Sequence, residues 1–182
     1  MFELKFGIRV LKSLLVIGSF LLTSCNFNTK PNSGDSQSDS AAEVRYYPVT
    51  RVVDGDTFWV DNGSEKGIKI RLIGVDAPES RNVFKKKKGY YGTESKNYLK
   101  GLLQNKRVQL VKDVDSLDRY GRTLSYVYLE DGTFLNAELV KNGYAQIMTI
   151  PPNVKFAELF LELQQEAREQ ERGLWSGPYE AE

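Results

Sequence analysis

Between Arg51 and Glu79 the chain reads RVVDGDTFWVDNGSEKGIKIRLIGVDAPE, two short apolar runs separated by Asn62-Gly63, which is the pattern of a β-hairpin. A hairpin returns the chain to where it started. Acids that flank it in sequence therefore meet in space: Asp54 and Asp56 precede the first strand, Asp76 and Glu79 follow the second, and Arg71 projects from the strand between them. Clustered carboxylates repel one another unless positive charge is shared among them, and ligands that are all oxygen suit a hard ion such as Ca²⁺ or Mg²⁺. The stretch predicts a metal site.

Composition removes several alternatives. The chain of 182 residues has no histidine, which excludes any mechanism that needs an imidazole base, nucleophile or metal ligand. Its single cysteine excludes an internal disulfide and a cysteine-rich zinc site. Hydrophobic content of 41% and charged content of 27% are ordinary for a globular protein, and the length suffices for one core plus appendages. A formal net charge of +1 gives no bulk attraction to polyanions, so nucleic-acid binding has to come from local patches.

Residues 1–24 read as a signal peptide, with Lys5, Arg9 and Lys12 ahead of the apolar run LLVIGSFLL. The run is short for a membrane span. Leu22-Thr23-Ser24-Cys25 resembles the lipobox of bacterial lipoproteins, and that resemblance implies cleavage before Cys25 and acyl chains on it. The competing reading is an ordinary secretory signal with an incidental cysteine. Residues 25–43, rich in Ser, Asn, Asp and Gly, cannot bury a core and predict a disordered tether of roughly 20–25 Å. The expectation is an exported domain, lipid-anchored to the cell membrane or outer membrane and facing outside the cytoplasm. Loss of Lys5, Arg9, Lys12 and Glu3 would leave 22 bases against 23 acids, a balance of −1.

The folded domain is predicted over 44–178, with a tail over 179–182. YYPVTRVV, TFWVDN, KGIKIRLIG, KRVQLVKDV and LSYVYLE read as five strands. Thr93 is placed to cap a helix running to Leu103, Asn136 and Gly143 to cap and stop a short one, and a third helix is predicted from Lys155 to Arg172 with Phe156, Leu159, Phe160, Leu163 and Ala167 on its buried face. AQIMTIPPN reads as mostly irregular. One helix between the third and fourth strands gives the order of a small closed barrel of the oligonucleotide-binding (OB) kind, so the expected class is α+β, mainly β, a five-stranded OB-fold barrel with three helices. Lys85, Lys86, Lys87 and Lys88, bordered by Phe84, Tyr90 and Tyr91, read either as solvated surface or as an arm that meets phosphate while its aromatics stack on bases.

Three pieces stand in order: DGDT at 54–57, R-x-x-x-x-D-A-P-E at 71–79 and DRYGR at 118–122. Together with the KNG-Y-A segment and the final RGLW they resemble the staphylococcal nuclease (thermonuclease) family, from about Val49 to Trp175. The resemblance implies that Asp56, Asp76 and the carbonyl of Ala77 bind one Ca²⁺, that Glu79 is the general base, and that Arg71 and Arg122 hold the scissile phosphate. It further implies substrate contacts from Arg119 and Tyr120. At one place the chain departs from the family, where Gln146-Ile147-Met148-Thr149-Ile150 replaces the tyrosines that follow the short helix, so base stacking there is not implied.

The residue types make chemical sense without the family. Phosphodiester hydrolysis builds negative charge on the phosphoryl oxygens, and a chain without histidine must meet it with a metal ion and guanidinium forks. Arginine offers bidentate geometry and keeps its proton. Asp54 reads as a turn cap or outer support, Asp113, Asp115 and Asp118 as solvated loop acids, with Asp118 placed to steady Arg122. The activity that the family resemblance implies is calcium-dependent endonucleolytic hydrolysis of DNA and RNA, expected of a monomer without an obligate protein partner. The alternative readings are an OB-fold binding module that has lost its chemistry, and a surface barrel that binds protein.

Overall fold

A computed structural model describes residues 44–82 and 87–177. The signal peptide, Cys25, the tether, Lys85, Lys86 and the tail lie outside the described residues. No described helix is long and apolar enough to cross a membrane.

The elements in chain order are β1 (Tyr46–Asp54), β2 (Thr57–Val60), β3 (Ile68–Leu72), β4 (Gly74–Asp76), α1 (Gly92–Leu103), β5 (Arg107–Val111), β6 (Thr123–Leu129), α2 (Leu135–Lys141), β7 (Gln146–Met148) and α3 (Ala157–Glu169), then a 3₁₀ turn at Gly173–Ser176. Strands β1-β2-β3-β6-β5 close into a barrel, and β4 and β7 form a separate two-stranded sheet. Within the barrel only β3 and β6 run parallel. This is the α+β, OB-type barrel with three helices that the strand order predicts.

Alternation along the strands decides which face is core. Phe58 and Val60 of β2 and Ile70 and Leu72 of β3 point inward with Val108 and Val127, and Leu99 and Leu103 of α1 and Leu135, Leu139 and Val140 of α2 complete the same core. Closing the sheet removes the exposed edges that an open five-stranded sheet would leave. Phe160 and Ala167 bury the apolar face of α3, whereas Leu159 is 37% exposed, because α3 offers only a narrow stripe to its neighbours.

Several sequence expectations are corrected. The β2–β3 connection is a seven-residue loop, 61–67, and not a tight Asn62-Gly63 turn. Asp61 and Asn62 use their side chains to hold the backbone N–H groups of Gly63 and Ser64, so the loop is closed by local polar turns. Helix α1 starts at Gly92 after Tyr91 in a left-handed conformation, with no Thr93 cap. α3 begins two residues after Lys155 and ends before Arg172.

Two departures shape the site. The run KGIKIRLIG does not form one strand: after Leu72 the N–H of Ile73 bonds to Ser125, and Gly74 takes φ +78°, which swings β4 out of the barrel. Any side chain at Gly74 would also strike the Phe160 ring, its Cβ standing 2.5 Å from a ring carbon. The segment expected to be irregular supplies the partner, because Gln146–Met148 pairs antiparallel with Gly74–Asp76.

Candidate functional site

Asp56 sits in the two-residue turn between β1 and β2, where Asp54 pairs with Thr57 across the hairpin. A Cβ on Gly55 would lie 2.6 Å from the Ala77 Cβ and 2.9 Å from that of Ser95, so only glycine lets this turn press against the β4 exit and α1. The contact is sealed by Asp56, whose Oδ2 accepts the Ala77 N–H at 2.9 Å and whose Oδ1 accepts the Thr57 hydroxyl at 2.8 Å. Arg71, opposite Thr57 on β3, inserts its guanidinium between Asp56 and Asp76, with Nη2 2.5 Å from the Asp76 Oδ1 and Nη1 paired to Asp56. Burial pulls the Arg71 guanidinium below its ordinary range and the charge of Arg122 pulls the same way, while Asp76 and Glu79 pull it back up. That balance places both Arg122 and Glu79 within electrostatic reach of Arg71.

Asp54 caps its own turn: Oδ1 accepts the N–H of Gly55 at 3.0 Å and of Ser80 at 3.1 Å. Burial, with a smaller push from Glu79, raises its carboxyl above the usual range although these N–H groups oppose the shift. Across the cleft, Asp118 organises DRYGR. Its Oδ1 accepts the N–H groups of Tyr120 and Arg122, both at 2.9 Å, and its Oδ2 accepts Nε of Arg122 at 2.6 Å. The Tyr120 ring lies against both neighbouring guanidinium groups, 4.8 Å from Arg119 and 5.4 Å from Arg122.

These groups face one cleft of about 860 Å³. Asp56, Arg71, Asp76, Ala77, Glu79, Arg119, Tyr120 and Arg122 all line it. Lys87 and Lys88 do not, being exposed on the return leg of their loop, where the N–H of Lys88 bonds to Asn82. Asp113 is more than a solvated loop acid, since it accepts the Tyr126 hydroxyl at 2.9 Å, whereas Asp115 is exposed and only its backbone is held by Asn153.

Residues 69–177 match the family model described as "Staphylococcal nuclease homologue". Over 163 residues the chain is 35% identical to the thermonuclease of Staphylococcus hyicus, covering 90% of this chain and 95% of that one. Over 169 residues it is 36% identical to the thermonuclease of Staphylococcus intermedius, covering 93% and 95%. An uncharacterized endonuclease of Escherichia coli O157:H7 is 41% identical over 132 residues, 70% of this chain and 75% of that protein. The chain belongs to the staphylococcal nuclease family. Nuclease function is what this kinship supports, and alignments of such length also take in Asp54–Thr57, which precede the family-model match.

In a staphylococcal nuclease family member, Asp56 and Asp76 are the residues to test for a metal. They share a single guanidinium, so one negative charge is left over, and their donors are all oxygen. Among the described residues no cluster of three or more acidic, histidine or cysteine side chains forms. A hard divalent ion therefore fits the pair by charge and donor type, with backbone carbonyl and solvent oxygens left to complete its shell.

Other residues that shape the cleft escaped the sequence reading. Lys69, Arg81, Leu117, Met148 and Ile150 line it. Asn136, expected as a helix cap, lies fully buried inside α2, where Oδ1 accepts the Val127 N–H at 3.0 Å and Nδ2 donates to the Ile73 carbonyl at 2.9 Å. Gln164 accepts the Ile147 N–H at 2.8 Å and so holds β7 to α3. Gln164 did carry a signal, an amide on the helical period between Phe160 and Ala167, where an apolar side chain is the default.

Proposed function

We propose that this chain is a calcium-dependent endonuclease that hydrolyses DNA and RNA phosphodiesters with little sequence specificity, leaves 3′-phosphates, and is held at the cell envelope by a lipid on Cys25. One observation carries the reading: Asp56 and Asp76, 20 residues apart, meet on Arg71 in the cleft that also receives Glu79 and Arg122.

Asp56, Asp76 and the Ala77 carbonyl are the groups that would hold Ca²⁺, which supplies positive charge against the substrate phosphate. Arg71 and Arg122, from the neighbouring β3 and the loop that enters β6, line the same cleft and offer paired N–H donors to phosphoryl oxygens whose charge grows as the bond breaks. Glu79, on the segment leaving β4, accepts the proton from the attacking water, a step that contributes about 10²–10⁴ in rate. Water adds at phosphorus, the 5′ P–O bond breaks, the leaving 5′ oxygen takes a proton from solvent to become a hydroxyl, and the phosphate remains on the 3′ oxygen.

The full chain is expected to degrade DNA and RNA with Ca²⁺, to stop in chelator, and to lose about 10²–10⁴ in rate as Glu79→Gln, read by release of acid-soluble nucleotides. Undiminished hydrolysis in chelator and in Glu79→Gln would remove both roles. Fatty-acid labelling in cells reads the anchor: label should enter the wild type and be absent from Cys25→Ala.

A further inference from the structure

The cleft does not end at Arg71. In β2, Phe58 and Val60 are fully buried in the core, which sends Thr57 and Trp59 to the opposite face, and in β3 Ile70 and Leu72 send Lys69 and Arg71 there in the same way. The register aligns these outward residues into two rows. Thr57 faces Arg71, and one pleat repeat further, about 6.8 Å along the strand, Trp59 faces Lys69 on one side and Arg51 on the other. Lys69 lines the same cleft as Arg71, and Trp59 lines an adjoining shallow hollow of about 430 Å³ with Thr50, Arg51 and Lys66. No carboxylate lines that hollow.

Trp59 is unusual for an outer barrel position. Arg51 lies 5.6 Å from its ring centroid, and its indole N–H is shielded from solvent without an acceptor among the described residues. A half-buried indole between Arg51 and Lys69 sets a ring beside two cations, which suits a ligand with a π face and negative charge, while the shielded N–H takes no part.

We propose that Lys69, Trp59, Arg51 and Lys66 form a track for the single strand flanking the scissile phosphate: Lys69 takes the phosphate next to the one at Arg71, a base stacks at Trp59, and Arg51 and Lys66 hold phosphates beyond. The inference rests on the nuclease reading above and adds to it the path of the substrate. Alternating cations and a stacking ring bind single strands without reading sequence, which matches an enzyme of little specificity.

The test uses the full chain in chelator, so that binding is read without cleavage, with a thymidylate dodecamer and trinucleotide as probes. The dodecamer should quench Trp59 fluorescence in the wild type. That quench should vanish in Trp59→Phe while affinity is kept. Trp59→Ala should weaken dodecamer binding by about five- to a hundredfold and trinucleotide binding by less, because three nucleotides can also sit in registers that leave Trp59 empty. Lys69→Gln should lower the slope of log affinity against log salt by about 0.7, the loss of one phosphate contact. Equal dodecamer affinity in folded Trp59→Ala, or a dodecamer that binds without quench, overturns the track. Should Trp59→Ala fail to fold, the wild-type quench and the Lys69→Gln slope decide alone. Failure to cut either oligonucleotide in Ca²⁺ would instead count against the nuclease reading, because quench and salt slope are independent of cleavage.

Discussion

Arg71 and Arg122 face the same cleft from different kinds of backbone. Arg71 stands on β3, which is paired to β2 on one side and β6 on the other, is 9% exposed, and is clamped by carboxylates from two chain segments. Arg122 closes a surface loop and takes its orientation from Asp118 four residues away, through a backbone bond and a side-chain bond. One guanidinium is part of what the fold must neutralise in order to be stable. The other is presented by a local turn. On the proposed reading, therefore, stability and function are coupled in Arg71, whereas in Arg122 they are separable.

Substitution breaks the comparison most sharply at Arg71. Arg71→Ala leaves Asp56 and Asp76 facing each other without their shared cation, and loss of one member of a buried ion pair costs about 3–5 kcal/mol, to be measured by denaturant unfolding without metal. A wild-type midpoint would show that the clamp is not structural. Arg122→Ala should cost about 3 kcal/mol of barrier, read from initial rates, but less than about 1 kcal/mol of stability, since Asp118 keeps the backbone N–H groups of residues 120 and 122 as partners. A comparable loss of stability at both arginines would erase the distinction.

Asn136→Ala probes the scaffold behind Arg71. It leaves the Val127 N–H and the Ile73 carbonyl without partners at the bend that releases β4, and should destabilise the protein by about 2 kcal/mol, again by denaturant melt. Activity should fall with it, because Asp76 rides on β4. The smallest effect belongs to Asp118. Burial alone would raise its carboxyl, but the N–H of Arg122, the Arg122 guanidinium and the N–H of Tyr120 outweigh burial and hold it below the usual carboxylate range. A depressed acid contributes stability above its unfolded pKa and loses it as pH falls through the folded value. Asp118→Asn should therefore be about 1 kcal/mol less stable than wild type at neutral pH, with the gap closing in acid below the ordinary aspartate range. A gap that stays constant with pH would mean that Asp118 acts through shape and not through charge.

The same contrast explains what was legible beforehand. DRYGR could be read from the sequence because its geometry is local: an aspartate that opens a tight turn accepts the N–H groups of residues two and four places ahead. The Asp56–Arg71–Asp76 group was legible in part, since a hairpin must return its ends to one place. Hidden from the sequence was the break at Gly74, which sends Asp76 onto a separate sheet, and the pairing of that sheet with Gln146–Met148. Short strands that pair far away in sequence leave no periodic signal of their own.

Local pattern, then, determined the number and order of the barrel strands, the separation of core from outer face, and the absence of imidazole and disulfide chemistry, because alternation and composition are properties of the chain itself. Tertiary structure alone decided that β4 leaves the barrel, that Asn136 bridges elements where a cap was expected, and that Lys69 lines the cleft with Trp59 as its cross-strand neighbour. Those outcomes depend on which distant backbone groups are free to pair, and that becomes fixed only when the barrel closes.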